Sequence, residues 1–226
     1  MFSGLKGSVA IINGAAGGMG TQTAIRLGKE GCKIFAVDMS EEKLKVMKAK
    51  LAGLGITEVT TCVCNSAKEE DVNSAVAMCL DTYGTITILF NVAGIYKDCL
   101  LKDMTTQEWQ QTMDINLNSM FFFCRAAVPT MIHNQYGKII NVASQAGVQG
   151  SVTHAHYSAS KAAIIGMSRS LAKEVAKDHI CVNCLAPGII RTPLTNHYTP
   201  EQEENFMRQI PMHRFGEPDD VAKVVE

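Results

Sequence analysis

The sequence predicts a single doubly wound α/β domain of the Rossmann type, with a parallel sheet and helices on both of its faces. Three observations predict it. Short β-branched runs alternate with longer amphipathic stretches along the whole chain. A glycine cluster stands directly between the first such run and the first such stretch. The length, 226 residues, suits one domain and leaves little room for two.

Residues 8–12 read as the first strand, followed by the glycine-rich turn and a helix with Ala24 and Leu27 inward that stops at Gly31. Residues 33–37 make the second strand. Ser40 caps the next helix, whose lysines and glutamates lie on its wet face. A third strand spans 58–64, a helix 68–83 and a fourth strand 86–90. One long apolar helix is expected over 109–133, carrying Phe121, Phe122 and Phe123. The fifth strand is 138–142, a second long helix 157–177 and the sixth strand 180–185. A short mobile helix is expected over 199–208, and Pro218 opens a last one.

Nothing repeats and no linker divides the chain, so residues 1–226 are read as one domain. Its last apolar pattern, Val221, Val224 and Val225, is still running at Glu226. The expectation is a domain trimmed at its C-terminus, with a final strand missing.

Composition removes several function classes. The 21 basic and 22 acidic residues nearly cancel, so no field argues for nucleic acid or an acidic membrane. No apolar run approaches a membrane span, and the N-terminus lacks a signal pattern, so a cytoplasmic protein is expected. Eight cysteines raise the question of a metal or redox site. Cys62 and Cys64 flank one valine. Cys181 and Cys184, three apart on a strand, fall on opposite faces. No second pair completes a finger-like set, so the thiols read as reduced, small apolar side chains in a reducing compartment. His154 and His156 lack a third ligand nearby, and no metal is expected.

The chemistry begins at the run from Asn13 to Gly20. Gly14, Gly18 and Gly20, with Met19 among them, sit between a strand and a helix. There they allow a tight turn and bring backbone N–H groups and the helix dipole to a pyrophosphate. Asp38 ends the second strand, where a carboxylate accepts hydrogen bonds from both adenosine ribose hydroxyls and repels a 2′-phosphate. Met39 and Ser40 follow it, and no basic residue stands beside the glycines. NAD(H) is therefore favoured over NADP(H). A methyltransferase could use the same half.

Tyr157 and Lys161 lie four apart on one helix face. A free phenol titrates near ~10, too high for a base at neutral pH. A lysine cation, with the positive nicotinamide of an oxidised cofactor, is expected to lower that value. Ser144 ends the fifth strand, at the carboxyl edge where ligands of such sheets bind. A methyltransferase would not explain this tyrosine–lysine pair.

These motifs, with Asn91-Val-Ala-Gly94, Asn116, and Pro187-Gly188 with Thr192, occur in the order of the short-chain dehydrogenase/reductase family, which the chain resembles from about Lys6 to Glu226. The resemblance implies an oxidoreductase interconverting a secondary alcohol and a ketone. Tyr157 would be the general acid/base and Ser144 would hold the substrate oxygen. Lys161 would bind the nicotinamide ribose, and Asn116 would hold a water that links Lys161 to solvent. Asn13, Gly14, Gly18, Met19 and Gly20 would cradle the cofactor phosphates. Asp38, Met39, Asn65, Ser66, Asn91, Ala93 and Gly94 would surround its adenosine half. Pro187, Gly188, Ile190 and Thr192 would hold its nicotinamide half.

The chain departs from the family at Asn13 for threonine, Asn65 for aspartate and Val92 for a second asparagine. The Asn65 amide oxygen could still accept from the adenine amino group. Substrate contacts are expected from Ser144, Gln145, His154, Tyr157 and Ile189, within a wall that also takes in Ile95, Tyr96, Gln149, His156, His197 and Tyr198. This mixture suits a hydroxysteroid, a cyclic polyol or a 3-hydroxyacyl group, with residues 195–208 as a lid. The resemblance also implies a homotetramer or homodimer paired through the long helices, against which stands a fully internal place for Phe121 to Phe123. The alternative to an enzyme is a catalytically silent NAD(H)-binding sensor, which need not retain Asn116, Ser144, Tyr157 and Lys161 together.

Overall fold

The computed structural model describes residues 4–195 and 198–226. Six strands form one parallel sheet in the order β3-β2-β1-β4-β5-β6. They are β1 Val9–Asn13, β2 Lys33–Asp38, β3 Val59–Val63, β4 Ile88–Asn91, β5 Gly137–Val142 and β6 Ile180–Leu185. The helices between them are α1 Gly18–Lys29, α2 Glu41–Gly53, α3 Glu69–Tyr83, α4 Thr106–Met113, α5 Ser119–His133, the short α6 Ala146–Gln149, and α7 Ala155–Val175. After β6 come α8 Pro200–Gln209 and α9 Pro218–Val225.

The period of two in the strands places the helices. Val9 and Ile11 of β1, with Phe35, Val37, Leu89 and Ile139, pack against α3, α5 and α7. Ala10 and Ile12, with Ile34, Ala36 and Phe90, pack against α1 and α2. A strand covered on both faces has no wet side, which is why β1 reads as an unbroken apolar run. The strand order reverses between β1 and β4, and the crevice above their carboxyl ends is where such sheets bind ligands.

Ser40 caps α2 as expected, its hydroxyl accepting from the Lys43 N–H at 3.3 Å. The helix expected over 109–133 starts earlier and is interrupted: a π-helical turn, Asp114–Asn118, separates α4 from α5. A hydrophobic pattern cannot report this extra residue, because the cause is distant. The Asn116 side chain is drawn to the backbone of Ile95. The three phenylalanines divide between inside and outside. Phe123 is fully buried, whereas Phe121 is exposed beneath the Arg125 guanidinium, 4.6 Å from its ring centre.

At the chain's end, α9 lies on α1. Arg26 of α1 donates to Asp219 and Glu226, both at 2.7 Å. This clamp sets Pro218 and Thr192 against Gly18, where α1 begins.

Candidate active site

The turn after β1 is held by its neighbour strand. The N–H groups of Gly14 and Ala15 both donate to the Val37 carbonyl, at 2.9 and 3.0 Å. Gly14 has φ +87°, and a methyl there would come 2.7 Å from the Ala93 nitrogen. A methyl on Gly20 would overlap the Gly14 carbonyl oxygen. The start of α1 therefore sits hard against the turn. Its first turn has no side-chain cap, which leaves helix N–H groups and the positive end of the dipole for an anion.

Asp38 flanks this cradle. Its Oδ2 accepts from the Ala16 N–H at 3.2 Å and its Oδ1 from the Ser40 N–H at 3.1 Å. Each carboxylate oxygen keeps lone-pair capacity for a ribose hydroxyl. Met39 beside it is exposed. The Asn65 amide oxygen accepts from the Ala67 N–H at 3.1 Å and keeps a second lone pair, as the Asp38 oxygens do.

Asn13, Ser66 and Asn91 are joined beside the cradle by side-chain hydrogen bonds. Ser66 Oγ donates to Asn13 Oδ1 at 2.7 Å, and Asn13 Nδ2 donates to Asn91 Oδ1 at 3.4 Å. Asn91 Nδ2 donates in turn to Asn141 Oδ1 at 2.9 Å, and Asn141 Nδ2 to Ser168 Oγ at 3.0 Å. The three asparagines occupy matching positions on β1, β4 and β5 and are fully buried. Their side chains brace the sheet edge on which the cradle rests.

The catalytic half lines a cavity of about 530 Å³. Ser144, Tyr157 and Lys161 all reach it, with Gly94 and Met19 on the side of the glycine turn. Pro187, Gly188, Ile190 and Thr192 form the facing loop. That loop is tied down by Gln145 N–H to the Pro187 carbonyl at 2.9 Å, and by Gly216 N–H to the Ile189 carbonyl at 2.9 Å. Gln145, Gln149, His154, Ile189 and Tyr198 belong to the wall as expected. His156 does not: it is buried behind the wall, and burial, aided by His154, lowers its pKa. His197 lies outside the described residues.

Ser144 Oγ accepts from the Ala146 N–H at 3.2 Å and lines the cavity together with Tyr157. The Lys161 ammonium lies 5.7 Å from the Tyr157 ring centre and donates to the Val142 carbonyl at 2.8 Å. Burial lowers the Lys161 pKa to about 8 and raises that of Tyr157, with Ser144 opposing the latter shift. The expected lowering of Tyr157 is thus not produced by the chain alone. Desolvation wins, because Lys161 is itself buried and its proton is turned toward Val142.

Asn116 is fully buried. It accepts from the Ile95 N–H at 2.7 Å and donates to the Ile95 carbonyl at 3.0 Å and to Ser160 Oγ at 3.3 Å. Its amide is spent on fixing the loop after β4.

Sequence reasoning missed Asp98, which stands at the cavity mouth. Asp98 accepts from Thr153 Oγ1 at 2.8 Å, beside the bridge in which the Cys99 N–H donates to the Thr153 carbonyl at 2.8 Å. No local signal marks it, because its partners lie more than fifty residues away in the chain. Above it, His154 stacks on Tyr96 with ring centres 4.0 Å apart, and Tyr96 meets Tyr157 edge-on at 4.9 Å.

A nucleotide cradle opening into a tyrosine–serine–lysine cavity defines an oxidoreductase of the nicotinamide-dependent α/β class. The family profile described as short chain dehydrogenase matches residues 8–203, and the chain belongs to that family, whose members bind a nicotinamide cofactor and act on a carbonyl or alcohol. It is 37% identical over 221 residues to a 3-oxoacyl-[acyl-carrier-protein] reductase of Thermotoga maritima, covering 98% of this chain and 89% of the relative. A Rickettsia bellii protein of the same description is 40% identical over 221 residues, covering 98% of this chain and 88% of the relative. The solved structure of a levodione reductase superposes with a TM-score of 0.93 at 31% identity, covering 97% of this chain and 89% of that one.

Proposed function

We propose that this chain, acting as one domain, interconverts a secondary alcohol and a ketone with NAD(H), with Tyr157 as the general acid/base. The observation that carries the reading is that Ser144, Tyr157 and Lys161 line one cavity together with Met19 of the glycine turn. The bound cofactor would supply the hydride acceptor or donor and, when oxidised, a positive charge.

In the oxidative direction Tyr157 takes the hydroxyl proton of the alcohol while Ser144 holds its oxygen. With cofactor bound, Lys161, which here donates to the Val142 carbonyl, would hold the nicotinamide ribose. Its cation and the cofactor's charge then offset the desolvation that raises Tyr157. The proton leaves through Lys161 and a water. Because the Asn116 amide is committed to Ile95, that water is assigned to a backbone carbonyl of the π turn.

Asp38 supports NAD(H) over NADP(H): its carboxylate stands beside the cradle, where a 2′-phosphate would meet like charge. Relatives named for 3-oxoacyl and levodione reduction support a ketone or its alcohol, within the classes of hydroxysteroid, cyclic polyol or 3-hydroxyacyl group. The exposed Phe121 on α5 supports a homodimer or homotetramer paired through the long helices, to be checked by sedimentation. Free thiols at all eight cysteines support the cytoplasm. No described helix is long and apolar enough to cross a membrane.

The test is NADH formation across secondary alcohols, steroids and 3-hydroxyacyl thioesters. Turnover that is lost in Tyr157→Phe supports the reading. NAD binding with no turnover anywhere in the panel would replace it with a sensor.

A further inference from the structure

The loop after β6, residues 187–192, is held from outside the cavity. The Gly216 N–H donates to the Ile189 carbonyl at 2.9 Å, and the Gly216 carbonyl accepts from the Arg191 N–H at 2.8 Å. Ile190 and Gly216 thus lie side by side as a short parallel bridge, and a methyl on Gly216 would come 2.5 Å from Ile190 Cδ1. The corner that follows is itself braced. Arg214 donates to both Asp220 oxygens, at 2.7 and 3.3 Å, and Asp220 Oδ2 accepts from the Glu217 N–H at 2.9 Å. The loop therefore takes its place from this corner and from the start of α9.

What places α9 is α1. Val221 and Ala222 are buried, and Val225 packs against the core cluster that holds Ala24 and Leu27. Apolar packing of this kind supplies adhesion without direction. Direction comes from Arg26. Its Nε and Nη2 donate to Asp219 Oδ1 and Oδ2 at 2.7 and 2.8 Å, and its Nη1 donates to Glu226 at 2.7 Å. Asp219 and Glu226 stand about two turns apart, at the two ends of α9, so one guanidinium fixes the helix along its length. Gln22 adds a bond to Asp219 Oδ1 at 3.0 Å. A planar fork with two parallel bonds sets the register of two helices where a point charge would not. In this register Gly18, the first residue of α1, is pinched: a methyl there would meet Thr192 Cγ2 at 3.2 Å and Pro218 Cγ at 3.4 Å. The glycine turn, the 187–192 loop and the start of α9 meet at that one point.

The fork adds little to folding, since the Arg26 and Asp219 side chains are 26% and 35% exposed. Its position matters more than its energy. The Arg26 hydrogen bonds, then that of Gln22, hold the Asp219 carboxyl well below its ordinary pKa, so the fork stays charged through the neutral range. We propose that Arg26, acting through Asp219, is a positioning residue for the cofactor: it holds the 187–192 loop against the glycine turn and so sets the grip on the nicotinamide ring. This rests on the dehydrogenase reading above, in which that loop takes the nicotinamide half, and adds a control on cofactor release from outside the cavity.

The experiment compares NADH with ADP-ribose, which keeps the adenosine and both phosphates but lacks the nicotinamide. Binding is measured on the full chain, Arg26→Met, Arg26→Lys, Asp219→Asn and the double variant Arg26→Met/Asp219→Asn. Arg26→Met and Asp219→Asn should each weaken NADH about tenfold, through faster dissociation in stopped flow, and leave ADP-ribose within about twofold. Arg26→Lys keeps the charge without the fork and should fall between. The double variant should be no weaker than the weaker-binding single, because both changes remove the same bonds. In steady state the loss should appear in KM for NADH, with kcat no lower than about half of wild type. Asp219→Asn keeps the shape of the side chain and carries the test where Arg26→Met fails to fold. Equal weakening of NADH and ADP-ribose, or of neither, would overturn the positioning role while leaving the dehydrogenase standing. A wild-type chain that binds neither ligand overturns the cofactor reading, and the positioning role with it.

Discussion

Lys161 donates its ammonium proton to the carbonyl oxygen of Val142 at 2.8 Å, at the end of the strand that leads into Ser144. A buried cation with one neutral partner is costly, and the Lys161 pKa falls to about 8 for that reason. The unfolded chain holds its proton up to about 10.4. Between those values the unfolded state binds more protons, so this group makes stability rise with pH; below about 8 its penalty is fully present. Thermal unfolding of Lys161→Met should accordingly lack the rise that the wild type shows between roughly pH 8 and 10. Parallel Tm-against-pH curves for the two proteins would contradict this.

The Tyr157 shift gives the pH dependence of turnover. Burial holds the phenol protonated, the form needed for ketone reduction. Alcohol oxidation needs the phenolate. Oxidation should therefore gain about tenfold in kcat/KM per pH unit through the neutral range, while reduction stays flat there and falls at higher pH. Tyr157→Phe should cost at least about a hundredfold in both directions, with the NADH dissociation constant changed less than threefold by fluorescence titration. A variant retaining a tenth of wild-type turnover would remove Tyr157 from the proton step.

Asp38 predicts cofactor choice. Asp38→Ala removes the acceptor for ribose hydroxyls and also the repulsion against a 2′-phosphate. NADH should bind about ten- to a hundredfold more weakly, and NADPH no more weakly than before. The Ala16 and Ser40 N–H groups lose a partner too, so Tm is measured alongside. Equal weakening of both cofactors would locate the effect in the loop and undo the ribose argument.

The fold was legible because its signals are local and periodic. The residues of β1 are buried on both faces, so they had to be apolar throughout; Ser40 had to cap where it does; and β6 falls on 180–185 as the pattern indicates. The tyrosine–lysine pair was legible for the same reason, since four residues make one helical turn. The π turn at Asn116, the carboxylate of Asp98 at the cavity mouth and the burial of His156 were not. Each is fixed by a residue far away in sequence, namely Ile95, Thr153 and the elements covering the wall. The Tyr157 shift escaped because its sign depends on how deeply Lys161 is buried, and spacing carries no information on depth.

The asparagine ladder yields the last prediction. Asn13, Asn91 and Asn141 occupy paired register positions on three adjacent strands, and each is fully buried. A buried amide stabilises only while its partners stay in place, since an orphaned buried polar group costs about 1–3 kcal/mol. Asn91 is the middle member: it accepts from Asn13 and donates to Asn141. Asn91→Ala strands both neighbours and leaves a small cavity, so denaturant unfolding should show a loss of about 2–4 kcal/mol. Ser66→Ala and Ser168→Ala, at the two ends, each remove one bond and should cost about 1 kcal/mol. The double variant Asn91→Ala/Asn141→Ala should cost less than the sum of its parts, because the second change removes a group the first has already orphaned. Strict additivity would mean that the three amides stand independently, and that the bracing of the cradle through the sheet edge must come from the backbone alone.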